Sequence, residues 1–199
     1  MNKSLMSSIL LVIFGFSYFY KLYTLRSVEK VNANVLGRGS KGVELKRIEI
    51  LLKATTFTWI VLWLYCIIYG PVFIPETANQ TLAATETAGL IITALGVLFF
   101  EMAIYFMKSS WRVGVDEDSR TELITTGIYR YSRNPAFVGF DLMFAGLFFT
   151  YPDLLTLLVM VLNLTVIHLQ ILQEEKFLHK KFGAVYAEYA EVTPRYLIF

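Results

Sequence analysis

The sequence predicts an all-α integral membrane protein with five transmembrane helices and a tight hairpin between helices 4 and 5. Three observations point to this fold class: the composition, five long apolar segments, and the placement of the basic residues between them. Of the 199 residues, 56% are hydrophobic and 17% are charged, and the mean hydropathy is +0.55. A soluble domain has about 25% charged residues, so the composition indicates a membrane protein.

Each of the five apolar segments comes close to the roughly 20 residues that a helix needs to cross a bilayer. Three segments contain no charged residue, while the third contains Glu101 and the fourth contains Asp141. The first segment lacks a small-residue cleavage site and contains aromatic residues at its end, so we interpret it as a helix rather than a signal peptide. The segments are residues 4–20, 54–75, 87–107, 134–152 and 154–173.

The basic residues predict how these helices are oriented. Of the 18 lysines and arginines, 17 fall on one side of the five-helix arrangement, and Lys3 is the exception. The loop 76–86 and the link Tyr151–Pro152–Asp153 contain none. Because basic loops remain in the cytoplasm, we expect a multi-pass protein, of the cell membrane if prokaryotic, with the N-terminus outside and the C-terminus inside.

The chain divides into two regions. Residues 1–110 hold helices 1 to 3 and a basic cytoplasmic loop, and residues 111–199 hold a linker, helices 4 and 5 and an amphipathic C-terminal tail. The single cysteine, Cys66, excludes a disulfide framework, and His168 and His179 do not have the spacing of a zinc site. A net charge of +2 is too small to indicate nucleic acid. We therefore expect neither a metal nor a nucleic-acid partner.

Polar residues form two stripes on helices 4 and 5. Asn163 and Gln170 lie on one face of helix 5, with Glu174 one turn further, and Asn134 and Asp141 lie on one face of helix 4. Counted from the hairpin, the two stripes have matching depths. Polar groups inside lipid face a partner or a cavity, so the stripes predict a pocket that opens to the cytoplasm. The alternative is that they only hydrogen-bond the helices to each other.

Helix 4 is predicted to begin at Asn134-Pro135, with asparagine as the N-cap and proline as the first helical residue. The amide groups and positive dipole end of such a helix bind anions, and the preceding Arg133 would strengthen that site. The alternative is an ordinary helix start at the membrane interface, where arginines and tyrosines are common.

Two stretches, ELITTGIYRYSRNPAFVGF and EEKFLHKKFGAVYAEYAEVTPR, resemble the integral-membrane isoprenylcysteine carboxyl methyltransferases and their prokaryotic relatives. Phospholipid N-methyltransferases are more distant relatives of that family. The shared features include an Arg-x-Pro step at Arg133–Pro135, the pair Glu174-Glu175, and Pro194-Arg195. Asn134 stands where the family has a histidine, and Gln170 where the eukaryotic enzymes have an arginine.

The resemblance implies a cytoplasmic pocket for S-adenosylmethionine (AdoMet), with S-adenosylhomocysteine as product. It implies methyl transfer to a lipophilic or lipidated acceptor, such as a prenylcysteine-type carboxylate, among membrane lipids. The candidate catalytic residues are Glu174, Glu175 and Arg195, and the candidate substrate-binding residues are Asp141, Asn163 and Gln170. The candidate cofactor-binding residues are Glu122, Leu123, Ile124, Tyr129, Arg133, Asn134, Pro135, Ala136, Phe137 and Glu174.

Three other functions stay open. The same scaffold could methylate a phospholipid or a small amine, in which case Glu174 or Glu175 would accept the proton that the amine loses. An NADPH-linked sterol-type reductase has a similar membrane domain. A membrane protein without enzymatic activity would use both polar stripes only to hold its helices together.

Overall fold

The computed structural model describes residues 2–30, 32–38, 41–72, 82–115 and 122–198. Within these ranges the chain forms helices and no β-sheet, which confirms the all-α prediction. Residues 76–81, in the loop that contains no basic residues, lie outside the described ranges. The helices are α1 (Lys3–Ser27), α2 (Val43–Tyr69), α3 (Leu82–Met107), α4 (Pro135–Thr150), α5 (Leu154–Phe182) and α6 (Ala184–Val192), with short 3₁₀ helices at Lys108–Ser110 and Gly127–Arg130.

Local sequence explains most of the helix ends. The side chain of Asn2 accepts a hydrogen bond from the Leu5 amide at the start of α1, and Asp153 does the same for Leu155 at the start of α5. Glycines with positive φ end two helices, Gly70 after α2 and Gly183 after α5. Gly183 therefore marks the junction between α5 and α6.

Four of the five predicted spans are long and apolar enough to cross a membrane: Lys3–Ser27, Val43–Tyr69, Ala83–Ser110 and Leu154–Phe182. The prediction that α4 forms a fifth span is not confirmed, because this helix is shorter than a typical membrane crossing. This helix has 16 residues, which gives about 24 Å of helix against a hydrocarbon core of about 30 Å. Pro135 at its start and the link at Tyr151–Asp153 limit it at both ends.

Contacts at one end of the bundle show that consecutive helices α1 to α5 run in alternating directions. Lys3 at the start of α1 pairs with Glu86 near the start of α3, and its ammonium lies 5.6 Å from the ring centre of Tyr151, after the end of α4. Asp153 accepts a hydrogen bond from the amide of Val72, just past the end of α2. The loops and the adjoining helix segments at the opposite end contain nearly all of the basic residues.

The helix that α4 contacts most is α3, rather than its predicted hairpin partner α5. Two glycine pairs bring the backbones together: a Cβ on Gly96 would lie 2.7 Å from the carbonyl oxygen of Gly139, and one on Gly146 would lie 2.8 Å from that of Gly89. On each helix the two glycines are seven residues apart, which puts them on one face. Small residues allow membrane helices to approach this closely.

Aromatic rings fill the core between α1, α2, α3 and α4. The ring of Phe14 packs edge-on against Phe100, at 5.1 Å, and against Phe140, at 5.6 Å, while Trp59 packs edge-on against Phe144 at 4.8 Å. Such edge-to-face pairs are favourable beyond the area that they bury. This core lies beside the cavity described next.

Candidate functional site

A cavity of about 770 Å³ extends from the basic end of the bundle to the interval between α1 and α2. Its volume lies within the range of small-molecule sites, about 300–1,000 Å³. All ten residues that the sequence analysis assigned to cofactor binding line this one cavity. The remaining walls come from α1, α2, the end of α3, α6, further residues of α4 and α5, and the loops at Asn34, Leu36 and 110–115, so both halves of the chain contribute.

The first turn of α4 lies on the cavity wall. Asn134 occupies the N-cap position as predicted, but its side chain makes no capping bond. The amide nitrogen of that side chain instead donates to Oε1 of Glu175 and to the carbonyl of Arg195, both at 3.2 Å. Ala136 and Phe137 line the cavity, and their amides belong to the turn that intrahelical bonds leave unsatisfied. This helix start therefore offers backbone donors to a ligand.

Glu174 is the acidic residue that α5 contributes to the cavity. Its Oε1 accepts a hydrogen bond of 3.0 Å from Nε2 of Gln170. This carboxylate and the residues that begin α4 line the same cavity. A ligand with an anionic group and a cationic group can therefore meet both the α4 amides and a carboxylate there.

Glu175, next along the helix, has a different environment. Its Oε1 accepts from Nε of Arg133 at 3.1 Å, and its Oε2 accepts from Nε and Nη2 of Arg195 at 3.0 and 2.8 Å. Glu175 is buried and does not line the cavity, and neither does Arg195. Bonding to Glu175 raises the pKa of the Arg195 guanidinium, so this pair stays charged near neutral pH. These contacts give Glu175 and Arg195 a structural position, behind the wall rather than in the cavity.

Arg133 connects α4 to the C-terminal tail. Its Nη1 donates to the carbonyls of Ala190, at 2.9 Å, and Thr193, at 2.6 Å, in addition to the bonds with Glu175. The predicted role of Arg133 as the cation that strengthens an anion site does not match this geometry, because its donors are already engaged. Instead, the guanidinium holds α6 against the cavity.

Tyrosines from α6 and from the 3₁₀ helix Gly127–Arg130 line the cavity beside Arg133. The hydroxyl of Tyr189 donates to the carbonyl of Tyr129 at 2.6 Å. Burial raises the pKa of Tyr129 and of Tyr189, and it raises the pKa of Tyr186 to about 12. The three phenols are therefore neutral near pH 7 and cannot serve as bases. Among the cavity-lining residues that the structure describes, Glu122 and Glu174 are the carboxylates.

The three candidate substrate-binding residues do not line the cavity. Nδ2 of Asn163 donates to the carbonyl of Val159 in α5 and, at 3.4 Å, to that of Thr55 in α2. Gln170 is fully buried and contacts Glu174, while Oδ1 of Asp141 is buried with no hydrogen-bond partner among the described residues. The side chain of Asn163 therefore joins α5 to α2, as expected if the polar stripe only holds helices together. Of the two stripes, Asn134 and Glu174 line the cavity and the deeper members do not, because matched depth does not determine which neighbour a helix face meets.

The sequence analysis missed the apolar part of the cavity, which lies between α1 and α2. Phe19 and Phe57 line it and are also 69% and 68% exposed on the outer surface of the bundle. The cavity therefore opens sideways between these two helices. No sequence signal distinguishes such residues, because apolar side chains are expected throughout a membrane helix.

Comparison with known protein families gives a match that covers the walls of the cavity formed by α3, the linker, α4 and α5. The family model for phospholipid methyltransferases matches residues 84–185, just over half of the chain. This region runs from α3 through the linker, α4 and α5 to the start of α6. No curated protein and no solved structure matches the chain. The narrower assignment to the isoprenylcysteine carboxyl methyltransferases, and a prokaryotic origin, stay predictions.

Proposed function

The chain belongs to the phospholipid methyltransferase family, and we propose that it uses AdoMet to methylate an acceptor that enters from the lipid. One observation supports this most directly: a single cavity joins the polar wall at α4 and Glu174 to an apolar opening between α1 and α2. A water-soluble donor can approach the polar end, while a lipid chain can occupy the opening without leaving an apolar environment. The two ends belong to one continuous cavity.

The polar wall has the donor and acceptor groups that AdoMet requires. The first-turn amides of α4, at Ala136 and Phe137, suit its carboxylate. Glu174 suits its ammonium or its ribose hydroxyls, through charge-assisted hydrogen bonds. The backbone of Leu123 and Ile124 suits the edge of its adenine. AdoMet supplies an activated methyl group when bound, and the protein's contribution is to position the acceptor and exclude water.

The acceptor that we propose is a lipid with an amino headgroup, in keeping with the family match. A carboxylate acceptor would call for a cationic partner; the guanidinium groups of Arg133 and Arg195 are bound to Glu175, and Lys53 and Arg112 are the other basic residues on the described walls. An amine must lose a proton before it can be methylated. With Glu174 holding the donor, Glu122 is the other carboxylate on the described walls and is the candidate proton acceptor.

Ligand binding tests the cofactor assignment first. We expect S-adenosylhomocysteine to raise the melting temperature of the purified protein and to bind with micromolar affinity in calorimetry, because a ligand stabilises the state to which it binds. NADPH at the same concentration is the comparison. Stabilisation by NADPH but not by S-adenosylhomocysteine would assign the chain to a reductase instead.

Transfer of labelled methyl from AdoMet then tests the acceptor. Vesicles of phosphatidylethanolamine, vesicles of phosphatidylcholine, and an N-acetylated farnesylcysteine provide a primary amine, a fully methylated amine and a free carboxylate without a free amine. We expect label in the phosphatidylethanolamine vesicles. Label in farnesylcysteine alone would overturn the amine proposal and support the isoprenylcysteine activity.

A further inference from the structure

Outside the region that matches the family, one buried carboxylate binds two backbone amides and one lysine side chain. Glu49, two turns into α2, is fully buried. Its carboxylate accepts hydrogen bonds from the amide of Gly37 at 2.7 Å, from the amide of Val115 at 2.9 Å, and from Nζ of Lys41 at 2.8 Å. Lys41 is also buried, so the two charges neutralise each other away from solvent.

These bonds join two loops that are far apart in sequence. Gly37 belongs to the loop between α1 and α2, and Val115 belongs to the linker between α3 and α4. The loops also pair directly: the amide of Val35 donates to the carbonyl of Val113, and the amide of Val113 donates to the carbonyl of Ala33. Lys41 adds a bond of 2.7 Å to the carbonyl of Val35.

The paired loops form one wall of the cavity. Asn34 and Leu36 line it from the first loop, and residues 111–115 line it from the linker. Gly114 lies directly against Glu49, with φ of +93°, and a Cβ there would be 2.8 Å from Oε1 of Glu49. The linker can follow this path only because a glycine faces the carboxylate.

We propose that Glu49 is a positioning residue for donor binding: its carboxylate holds the linker 111–115 in place as a wall of the AdoMet site. This inference rests on the proposed function for the identity of the ligand. Glu49 itself does not line the cavity, so it acts through the backbone that it binds. Lys41 has a different role, because it neutralises the carboxylate of Glu49 but makes no hydrogen bond to residues 111–115.

This division of roles separates positioning from stability in an experiment. Glu49→Gln cannot accept from Gly37, Lys41 and Val115 together, so we expect about a tenfold or greater loss of affinity for S-adenosylhomocysteine in calorimetry. Lys41→Met leaves both amide bonds to Glu49 in place. We expect it to lower the melting temperature, because a buried charge loses its partner, but to keep affinity within about threefold of the parent.

The matched control is Glu44→Gln, the same change one turn away on α2, at an exposed residue whose partner is Gln173. It should bind S-adenosylhomocysteine like the parent. A merely structural role for Glu49 would make affinity follow melting temperature in both Glu49→Gln and Lys41→Met. That result, or normal affinity in Glu49→Gln, would overturn the proposal.

A second pair of variants applies if Glu49→Gln does not fold. Gly114→Ala displaces the Glu49 carboxylate without changing any charge, and it should reduce affinity in the same way. Gly70→Ala is its control, because Gly70 also has positive φ, at +81°, but a Cβ there meets nothing within 4 Å. Equal affinity in the two alanine variants would contradict the role of Glu49.

Hydrogen exchange without ligand separates this inference from the proposed function. If the parent does not bind S-adenosylhomocysteine, the proposed cofactor is wrong, whatever Glu49 does. The amides of residues 33–37 and 111–115 should still exchange faster in Glu49→Gln than in Glu44→Gln, or in Gly114→Ala than in Gly70→Ala. Unchanged exchange in these two segments would show that Glu49 does not hold the wall.

Discussion

Glu174 and Glu175 are consecutive residues of α5, yet Glu174 lines the cavity and Glu175 binds Arg133 and Arg195 behind its wall. Neighbouring positions on a helix point about 100° apart, and here that angle separates a carboxylate that faces the cavity from one that binds two arginines behind it. The pair therefore offers a matched comparison in which the same substitution is made on either side of the wall.

Glu174→Gln should weaken binding of S-adenosylhomocysteine with little change in melting temperature. The substitution keeps the shape of the side chain and removes a charged hydrogen-bond acceptor, which is worth about 1.5–3 kcal/mol, or roughly 10- to 150-fold in affinity. Calorimetry measures the affinity, and a thermal melt without ligand checks the fold. Normal binding by this variant would place the donor elsewhere in the cavity.

Glu175→Gln should show the opposite pattern, a lower melting temperature with a smaller effect on affinity. It leaves the guanidinium groups of Arg133 and Arg195 without a charged partner. Removing one member of a buried ion pair costs about 3–5 kcal/mol, and solvent around Arg195, 37% exposed, reduces this to roughly 2–3 kcal/mol. A melting temperature equal to that of the parent would contradict the structural role of this carboxylate.

Gly139→Ala should destabilise the packing of α4 on α3. A Cβ at this position would lie 2.8 Å from the carbonyl of Gly96 and 2.9 Å from the amide of Phe100, so two backbones would have to separate. Overpacking of this kind costs about 1–3 kcal/mol. The control is Gly15→Ala in α1, where a Cβ meets nothing within 4 Å. Thermal melts in one detergent should show a decrease for Gly139→Ala alone.

The parent protein should lose stability at alkaline pH more steeply than Tyr186→Phe. Burial, followed by the Glu175 carboxylate, raises the pKa of Tyr186 to about 12, from an unfolded value of about 10. The folded state therefore holds this phenol proton more tightly. The resulting stability is fully present below about pH 10 and is lost as pH rises to about 12. Melting temperatures from pH 8 to 11.5 measure the difference in slope, and parallel curves would contradict it.

Cysteine labelling in intact cells should show whether α4, despite its length, carries the chain from one side of the membrane to the other. After Cys66→Ala, single cysteines replace Val28, Val192 and Leu154, all of which are exposed. We expect an impermeant reagent to label Leu154→Cys from outside and the other two only after permeabilisation. Labelling of Leu154→Cys on the same side as Val28→Cys, with Val192→Cys on the opposite side, would show that α4 does not cross and would rule out five passes.

Much of the site could be predicted because its residues are close together in sequence. The cofactor-side residues from Glu122 to Phe137 surround one helix start, and the proline after Asn134 determines where that helix begins. A short segment with a known start has few possible shapes. The prediction for Asn134 was right about its position and wrong about its side chain, because the competing partner Glu175 is 41 residues away.

Composition, periodicity and local capping predict that the chain is helical and membrane-like, that helices begin near residues 4, 134 and 154, and which residues border the start of α4. The stripe on helix 5 also predicts that Glu174 faces the pocket. These patterns do not predict that α2 begins at Val43 and α5 ends at Phe182, well outside the apolar segments. They also do not predict that α4 packs on α3 through paired glycines, that Glu175 binds Arg133 and Arg195, or that Glu49 bonds to a linker 66 residues away. Spacing along a helix relates its faces to one another, whereas packing between helices determines what each face meets.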